Sequence, residues 1–321
     1  MCSTAARNHQ FTGAEAVAKM EIGFVGLGKM GGAMANRLHV AGHQVLAFDG
    51  HAAAVASAQA RGLRVAASLE ALVAGLSAPR VIWIMTPPGA ATQALITDLA
   101  DLCAPGDLIV DGGNSDFRDS KKRADVLKAR GLTLVDAGVS GGTQGAVNGC
   151  GLLVGAEKDV FERLKPAFEA LAAPGGYALV GRSGAGHFAK AVHNGVEYAL
   201  MQAYGEGYEL LTASEIEVDV VAALEAYQGG CSIRSHLLEK MCHAIAGNPT
   251  LEGIKGYVAD SGMGRWTVEE AIRLRVPTPT ISAALQTRFR SQQDDSPTMK
   301  SIAALRGEIG GHAVMKTGGA A

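Results

Sequence analysis

The stretch Ile22-Gly23-Phe24-Val25-Gly26-Leu27-Gly28-Lys29-Met30-Gly31 decides the fold. A short aliphatic run enters a glycine-rich turn, and Met34 and Leu38 then recur at helical spacing, so the segment reads as strand, tight loop and helix. Glycines at these positions let the backbone turn sharply and approach a pyrophosphate seated on the helix N-terminus. Gly26, Leu27, Gly28, Lys29, Met30 and Gly31 are therefore the candidate dinucleotide loop. A glycine pattern alone is weak evidence in a chain with 42 glycines, so the flanking strand and helix and the next acid carry the reading. That acid is Asp49, which ends the run Gln44–Phe48. A carboxylate there accepts hydrogen bonds from the adenosine ribose and repels a 2′-phosphate. Gly50 follows it with no adjacent arginine, so NAD is expected over NADP. The alternative is that Asp49 only caps the turn into the next helix.

Outward from this unit, short β-branched runs alternate with longer Ala/Leu-rich stretches, the pattern of βαβ units around a parallel sheet. The strand candidates are Ile22–Val25, Gln44–Phe48, Val81–Met85, Leu108–Val110, Leu132–Val135, Leu152–Val154 and Ala178–Val180. Met85, at the end of its strand, is a candidate cofactor contact. After about Gly186 helical patterns follow one another, broken by Gly229-Gly230, Asn248-Pro249 and Pro277–Pro279. The expectation is an α/β chain: a tail over 1–19, a doubly wound Rossmann-type sheet domain over 20–187, and an all-helical substrate and oligomerisation domain over 188–321.

The net charge of −2 gives no broad basic surface, which argues against nucleic acid as a partner. No apolar run is long enough to span a membrane. Residues 1–19 lack the apolar stretch of a secretory signal, and with only Arg7 and Lys19 they make a poor transit peptide. A disordered tail, or a start codon upstream of the working one at Met20, is the expectation there. The five cysteines are scattered with no C-x-x-C pair, as in reduced thiols of a cytoplasmic protein, and no metal-ligand cluster is apparent.

Lys190, His193, Asn194 and Glu197 stand at i, i+3, i+4 and i+7, so a helix aligns them on one face with Tyr198 one residue further round. A solvated ladder of polar pairs has the same spacing. The chemical reading is that oxidising an alcohol needs a base for the hydroxyl proton as hydride leaves. A lysine serves when burial or nearby positive charge favours its neutral form. Lys190 is the candidate base and Glu197 the candidate acid.

With these residues in view the chain resembles the 6-phosphogluconate dehydrogenases, in particular the shorter, often NAD-linked bacterial type within the β-hydroxyacid dehydrogenase superfamily. The likeness runs from about Met20 to His312 and rests on four motifs in the family's order. They are Gly26 to Gly31, Asp111-Gly112-Gly113-Asn114-Ser115, Gly138-Val139-Ser140-Gly141-Gly142, and Gly186-His187-Phe188-x-Lys190-x-x-His193-Asn194-Gly195-x-Glu197-Tyr198. The resemblance implies that Asn114, Ser140, Gly141 and Gly142 hold the sugar acid's carboxylate end and the nicotinamide side of the pocket. His193 and Asn194 would bind substrate hydroxyls, and Tyr198 and Arg288 the phosphate. Arg306 and His312 would reach a neighbouring subunit's site, so a homodimer or homotetramer is expected.

The implied reaction is oxidative decarboxylation of 6-phosphogluconate to ribulose 5-phosphate in the pentose phosphate pathway, with NAD and no metal. Some positions depart from the family. Ser261 stands where longer members carry a phosphate-binding lysine, and Met263 where short members often place an acid. Tyr227, Cys231 and His236 are unusual in their segment. Two rivals stay open: a 3-hydroxyisobutyrate-type dehydrogenase, which shares the Lys190 to Asn194 spacing but needs no phosphate ligands or second acid, and a non-catalytic NAD-binding protein.

Overall fold

The computed structural model describes residues 18–310 and 313–315, and the chain divides into two compact units between Ala191 and Val192. The first unit begins β1 Glu21–Val25, α1 Lys29–Val40, β2 Gln44–Phe48, α2 Ala52–Ala60, β3 Arg64–Val65 and α3 Leu69–Ala74. It continues β4 Val81–Ile84, α4 Ala90–Leu102, β5 Leu108–Asp111, α5 Phe117–Lys128, β6 Thr133–Ser140 and α6 Gly142–Asn148. The last sheet elements are β7 Cys150–Gly155, α7 Lys158–Leu171 and β8 Ala172–Gly181. Helix α8, Ala185–Ala213, runs from the first unit into the second. There α9 Val220–Gly230, α10 His236–Gly247, α11 Met263–Leu274, α12 Pro279–Ser291 and α13 Pro297–Gly310 follow, with no strand among the described residues.

The eight strands lie in the order β3-β2-β1-β4-β5-β6-β7-β8. Strand side chains alternate between two apolar layers. Phe24, Trp83, Val110 and Val135 enter one, beside Met34 and Leu38 of α1 and Phe161, Leu164 and Phe168 of α7. Val25, Ile82, Ile84, Ile109 and Leu134 enter the other, beside Leu72 of α3 and Ile96 and Leu99 of α4. Strands covered on both faces read as near-continuous apolar runs, which is why β1, β4 and β5 were visible without a period of two.

Three details differ from expectation. β3 is a two-residue edge strand, too short to show a pattern. β6 continues past Val135 to Ser140 through Asp136 and Gly138, and β7 pairs with it antiparallel, so the sheet is not uniformly parallel. Parallel strands need a crossover of roughly a dozen residues or more, and the short connection through α6 cannot supply one. β8 extends back to Ala172 across Pro174, with register shifts against β7; a proline is tolerated there because β8 is the sheet's edge. In the second unit the expected breakers fall at helix ends: Gly230 closes α9, Asn248 caps α10, and Pro279 occupies the first turn of α12.

Candidate active site

The carboxyl ends of β1, β2, β4 and β5 frame a cleft of about 540 Å³, at the point where the strand order reverses between β1 and β4. Open α/β sheets bind ligands at such a switch point. Gly26 has φ +94°, and a Cβ there would collide with the Met85 carbonyl oxygen. A Cβ on Gly31 would collide with the Gly26 carbonyl, so both glycines are needed for the chain to fold back on itself. Gly28, which caps α1, is the opposite case: a Cβ would meet nothing within 4 Å. It faces open cleft, as the loop glycine that a pyrophosphate approaches must, and the residues present fit a dinucleotide.

Gly26, Gly28, Lys29, Met30, Gly31, Asp49, Met85 and Asn114 all line this cleft. Leu27 does not; its side chain is buried and its amide donates to Asp49 Oδ2 at 2.6 Å. Asp49 Oδ1 accepts the His51 amide at 2.8 Å and the His51 imidazole at 2.9 Å. Burial pushes the Asp49 carboxyl up, but the Leu27 and His51 hydrogen bonds outweigh it and hold the group below its ordinary value. Asp49 thus ties the glycine loop to the turn into α2 and also lines the cleft. Sequence reasoning missed His51 and Thr86 in the lining, since neither belongs to a motif.

The Asp111 to Ser115 turn is held from behind. Asp111 Oδ1 accepts the Gly113 amide at 3.0 Å, Ser115 donates to Oδ2 at 2.7 Å, and the buried Arg123 guanidinium lies 3.5 Å from Oδ2. Gly112 leaves no room for a side chain against Trp83 and Met85. Asn114 is the exposed member, presented to the cleft. At the end of β6, Gly141 and Gly142 have φ of +112° and +58°, a left-handed turn into α6 that side-chain-bearing residues disfavour.

Below the head of α8 lies Asp136, which is buried. Its Oδ1 accepts the Gly184 amide at 2.5 Å and its Oδ2 the His187 amide at 2.7 Å, so it satisfies donors of the helix's first turn from the sheet. Burial pushes the Asp136 carboxyl up, against the opposing pull of His187 and these amides. The His187 ring is also buried, with Nδ1 2.7 Å from the Ser120 hydroxyl. One turn on, Lys190 is 5% exposed and packs closely against Gly138 of β6, where a Cβ would sit 2.5 Å from the lysine's own Cβ. Further along, His193 is exposed, with Nδ1 3.1 Å from Asn194 Oδ1 and 4.0 Å from Glu197. The polar stripe is therefore mixed, buried at Lys190 and solvated at His193.

In the second unit Tyr198 is buried, and the Arg288 guanidinium lies 3.4 Å from its ring centroid. A cation this close to an aromatic face is electrostatically favoured. The Tyr198 hydroxyl lies 3.2 Å from the Ser261 hydroxyl. Gly264 packs against the same ring, so close that a Cβ would overlap it. Met263 is core, 1% exposed, while Arg265 is paired with Asp260 at 3.0 Å. Arg306 is exposed on α13, a helix with no buried residue. His312 lies outside the described residues.

Two family models match the chain. The NAD binding domain of 6-phosphogluconate dehydrogenase matches residues 21–184, and the 6-phosphogluconate dehydrogenase C-terminal domain matches residues 186–309. The chain is 42% identical over 299 residues to the NAD(+)-dependent, decarboxylating 6-phosphogluconate dehydrogenase of Haloferax volcanii, covering 92% of this chain and 99% of that protein. It is 36% identical over 296 residues to the decarboxylating 6-phosphogluconate dehydrogenase of Synechococcus elongatus, covering 86% of this chain and 62% of that longer protein. Among solved structures, Plasmodium falciparum 6-phosphogluconate dehydrogenase shares the fold, with a TM-score of 0.78 at 23% identity over 94% of this chain and 67% of that one. On these matches the chain belongs to the 6-phosphogluconate dehydrogenase family.

Proposed function

We propose that the chain oxidises and decarboxylates 6-phosphogluconate to ribulose 5-phosphate and CO2, reducing NAD, as a cytoplasmic enzyme of the pentose phosphate pathway. The observation that carries this is the buried Lys190 at the head of α8, with Glu197 two turns along the same helix. A non-catalytic dinucleotide binder has no use for a lysine kept from water against a strand cut back to glycine. In this reading residues to about 187 hold the dinucleotide and the carboxylate end of the substrate, and the helices beyond hold the rest of the substrate and the partner.

A bound nicotinamide supplies the hydride acceptor. Lys190, in its neutral form, takes the C3 hydroxyl proton as the C3 hydride leaves, which makes a 3-keto acid. The C1–C2 bond then breaks, its electron pair enters a C2–C3 double bond, and Lys190 returns its proton to the C3 oxygen as CO2 departs. Glu197 next gives a proton to the former C2, which becomes C1 of the product, while Lys190 takes back the C3 hydroxyl proton. A proton passed from Lys190 to Glu197 resets the pair, and no net proton is consumed.

Asn114, Ser140, Gly141 and Gly142 hold the carboxylate end in this reading, His193 and Asn194 the hydroxyls, and Tyr198 and Arg288 the phosphate. Asp49 gives the preference for NAD, in keeping with the name of the Haloferax volcanii relative. The α13 face bearing Met299, Ile302, Leu305 and Ile309, all exposed, is the seam of a homodimer or homotetramer, across which Arg306 and His312 complete a neighbour's site. The test is NADH formation with 6-phosphogluconate and NAD, with CO2 measured in step. No turnover of 6-phosphogluconate ends the proposal, and NADH without CO2 turns it toward a dehydrogenase that stops at the oxidised acid.

A further inference from the structure

Asp49 has fewer lone pairs to offer than its place after β2 implies. An ionised carboxylate has about four acceptor positions. Oδ2 uses one on the Leu27 amide, while Oδ1 uses both of its own on the His51 amide and imidazole. The carboxylate can only accept, so His51 Nδ1 carries the hydrogen. One acceptor position on Oδ2 remains for a ribose diol that has two hydroxyls to donate. The His51 side chain is 90% exposed and lines the same cleft as Asp49, Gly50 and Lys29.

We propose that His51 is a specificity-determining residue whose imidazole masks Asp49 and narrows the margin by which the cleft prefers NAD to NADP. The proposal rests on reading this cleft as the dinucleotide site. Masking acts on both ligands. The ring competes with a ribose hydroxyl for Oδ1, which weakens the hold on NAD. Its hydrogen bond also draws on the Asp49 charge, which softens the repulsion of a 2′-phosphate. Once protonated, the same ring is a cation free to pair with that phosphate.

Asp49 and Lys29 line the cleft with His51, and Arg61 follows the end of α2. Arg61 is directed away, to the Gly32 carbonyl at 3.4 Å and the Ser57 hydroxyl at 3.3 Å. His51 itself caps α2, whose N-terminal amides oppose a positive charge, so the cationic form gains most when a phosphate is present.

The experiment measures Kd for NAD and for NADP by calorimetry on the full chain, wild type and His51→Ala, at about pH 8 and about pH 6. His51→Ala is expected to widen the ratio of NADP Kd to NAD Kd by about threefold or more, the scale of an exposed charge-assisted contact. Acidification is expected to narrow the wild-type ratio more than the variant's. The 2′-phosphate titrates in the same range in both proteins, so the difference between them isolates His51. His51→Gln, which keeps a donor but cannot become a cation, should hold the wild-type ratio at the higher pH and lose the extra narrowing at the lower. A His51→Ala ratio equal to or smaller than the wild-type value overturns the proposal. Failure of the wild type to bind either nucleotide overturns the reading of the cleft as well, which sets the two failures apart.

Discussion

Replacing Gly138 with alanine tests whether the head of α8 is held where the chemistry needs it. A Cβ at this position would lie 2.5 Å from Lys190 Cβ and 2.9 Å from the Gly186 carbonyl oxygen. Carbon atoms rest about 3.5 to 4.0 Å apart, so relief requires Lys190 to retreat by roughly 1 Å. The backbone of α8 cannot yield freely. Gly186 has no room for a side chain, since a Cβ there would overlap the Asp136 and Leu153 carbonyls, and Asp136 binds the amides of Gly184 and His187. Overpacking of this kind costs about 1 to 3 kcal/mol in stability. A displacement of about 1 Å at a catalytic group costs on the order of 100-fold in rate. Gly138→Ala should therefore lose about two orders of magnitude in kcat while Kd for NAD, measured by titration, stays within about twofold. Thermal unfolding of the same sample separates lost activity from lost protein. A folded Gly138→Ala variant with wild-type kcat would refute both the close-contact argument and the placing of chemistry at Lys190.

Lys190→Met should abolish the NADH burst, at a cost on the order of 100-fold to 10,000-fold, while NAD still binds; Glu197→Gln should keep a burst followed by slow turnover. A lysine variant with near wild-type rate would move the base elsewhere. Tyr198→Phe keeps the ring beneath Arg288 and should raise the KM for 6-phosphogluconate only modestly, whereas Tyr198→Leu removes the platform and should raise it by about tenfold or more. Equal KM values for the two variants would show that the stack does not position Arg288. Asp107 is buried, and although burial pushes its carboxyl up, the amides of Ala104 and Arg80 and the Arg80 guanidinium at 2.9 Å hold it below its ordinary value. A depressed carboxyl stabilises the fold above its unfolded pKa, about 3.9, and loses that contribution as pH falls through the folded value. Asp107→Asn should thus cost roughly 1 to 3 kcal/mol in denaturant titrations near neutrality and progressively less below about pH 4, and a difference that does not shrink with acid would contradict this assignment.

The parts of the fold that were legible share one property: their signal is local. β1, the glycine loop and α1 announce themselves within the span of one helix turn after another, and the breakers Gly229-Gly230 and Pro277–Pro279 sit where helices end. What was hidden depends on distant partners. Asp136 and His187 are separated by 51 positions, and nothing near either predicts that one receives the other's amide. Arg123 lies on an amphipathic helix where a charge reads as solvent-facing, yet it is buried beside Asp111. His51 follows Asp49 closely enough to be seen, but whether its ring folds back onto the carboxylate is a matter of rotamer and not of spacing. At Ser261 and Met263 the sequence showed departures from a pattern without their meaning; the structure finds a hydroxyl at Tyr198 and a side chain absorbed into the core.

Lone-pair accounting separates the carboxylates that build this protein from the one proposed to do chemistry. Asp49, Asp107, Asp111 and Asp136 each accept at least one backbone amide, and Asp107 and Asp111 are further paired with arginine. An acid held in this way takes up a proton only by giving up charge-assisted bonds for weaker neutral ones, which opposes cycling at every turnover. Glu197 stands apart. It is half-buried on α8, it faces His193 at 4.0 Å, and among the described residues no backbone amide donates to it. Protonation and deprotonation there disturb nothing that holds the fold together. Fixed acids in the sheet domain and an untethered one on the helix are what a reaction needs when an acid must change its proton count at every turnover while the frame around it does not move.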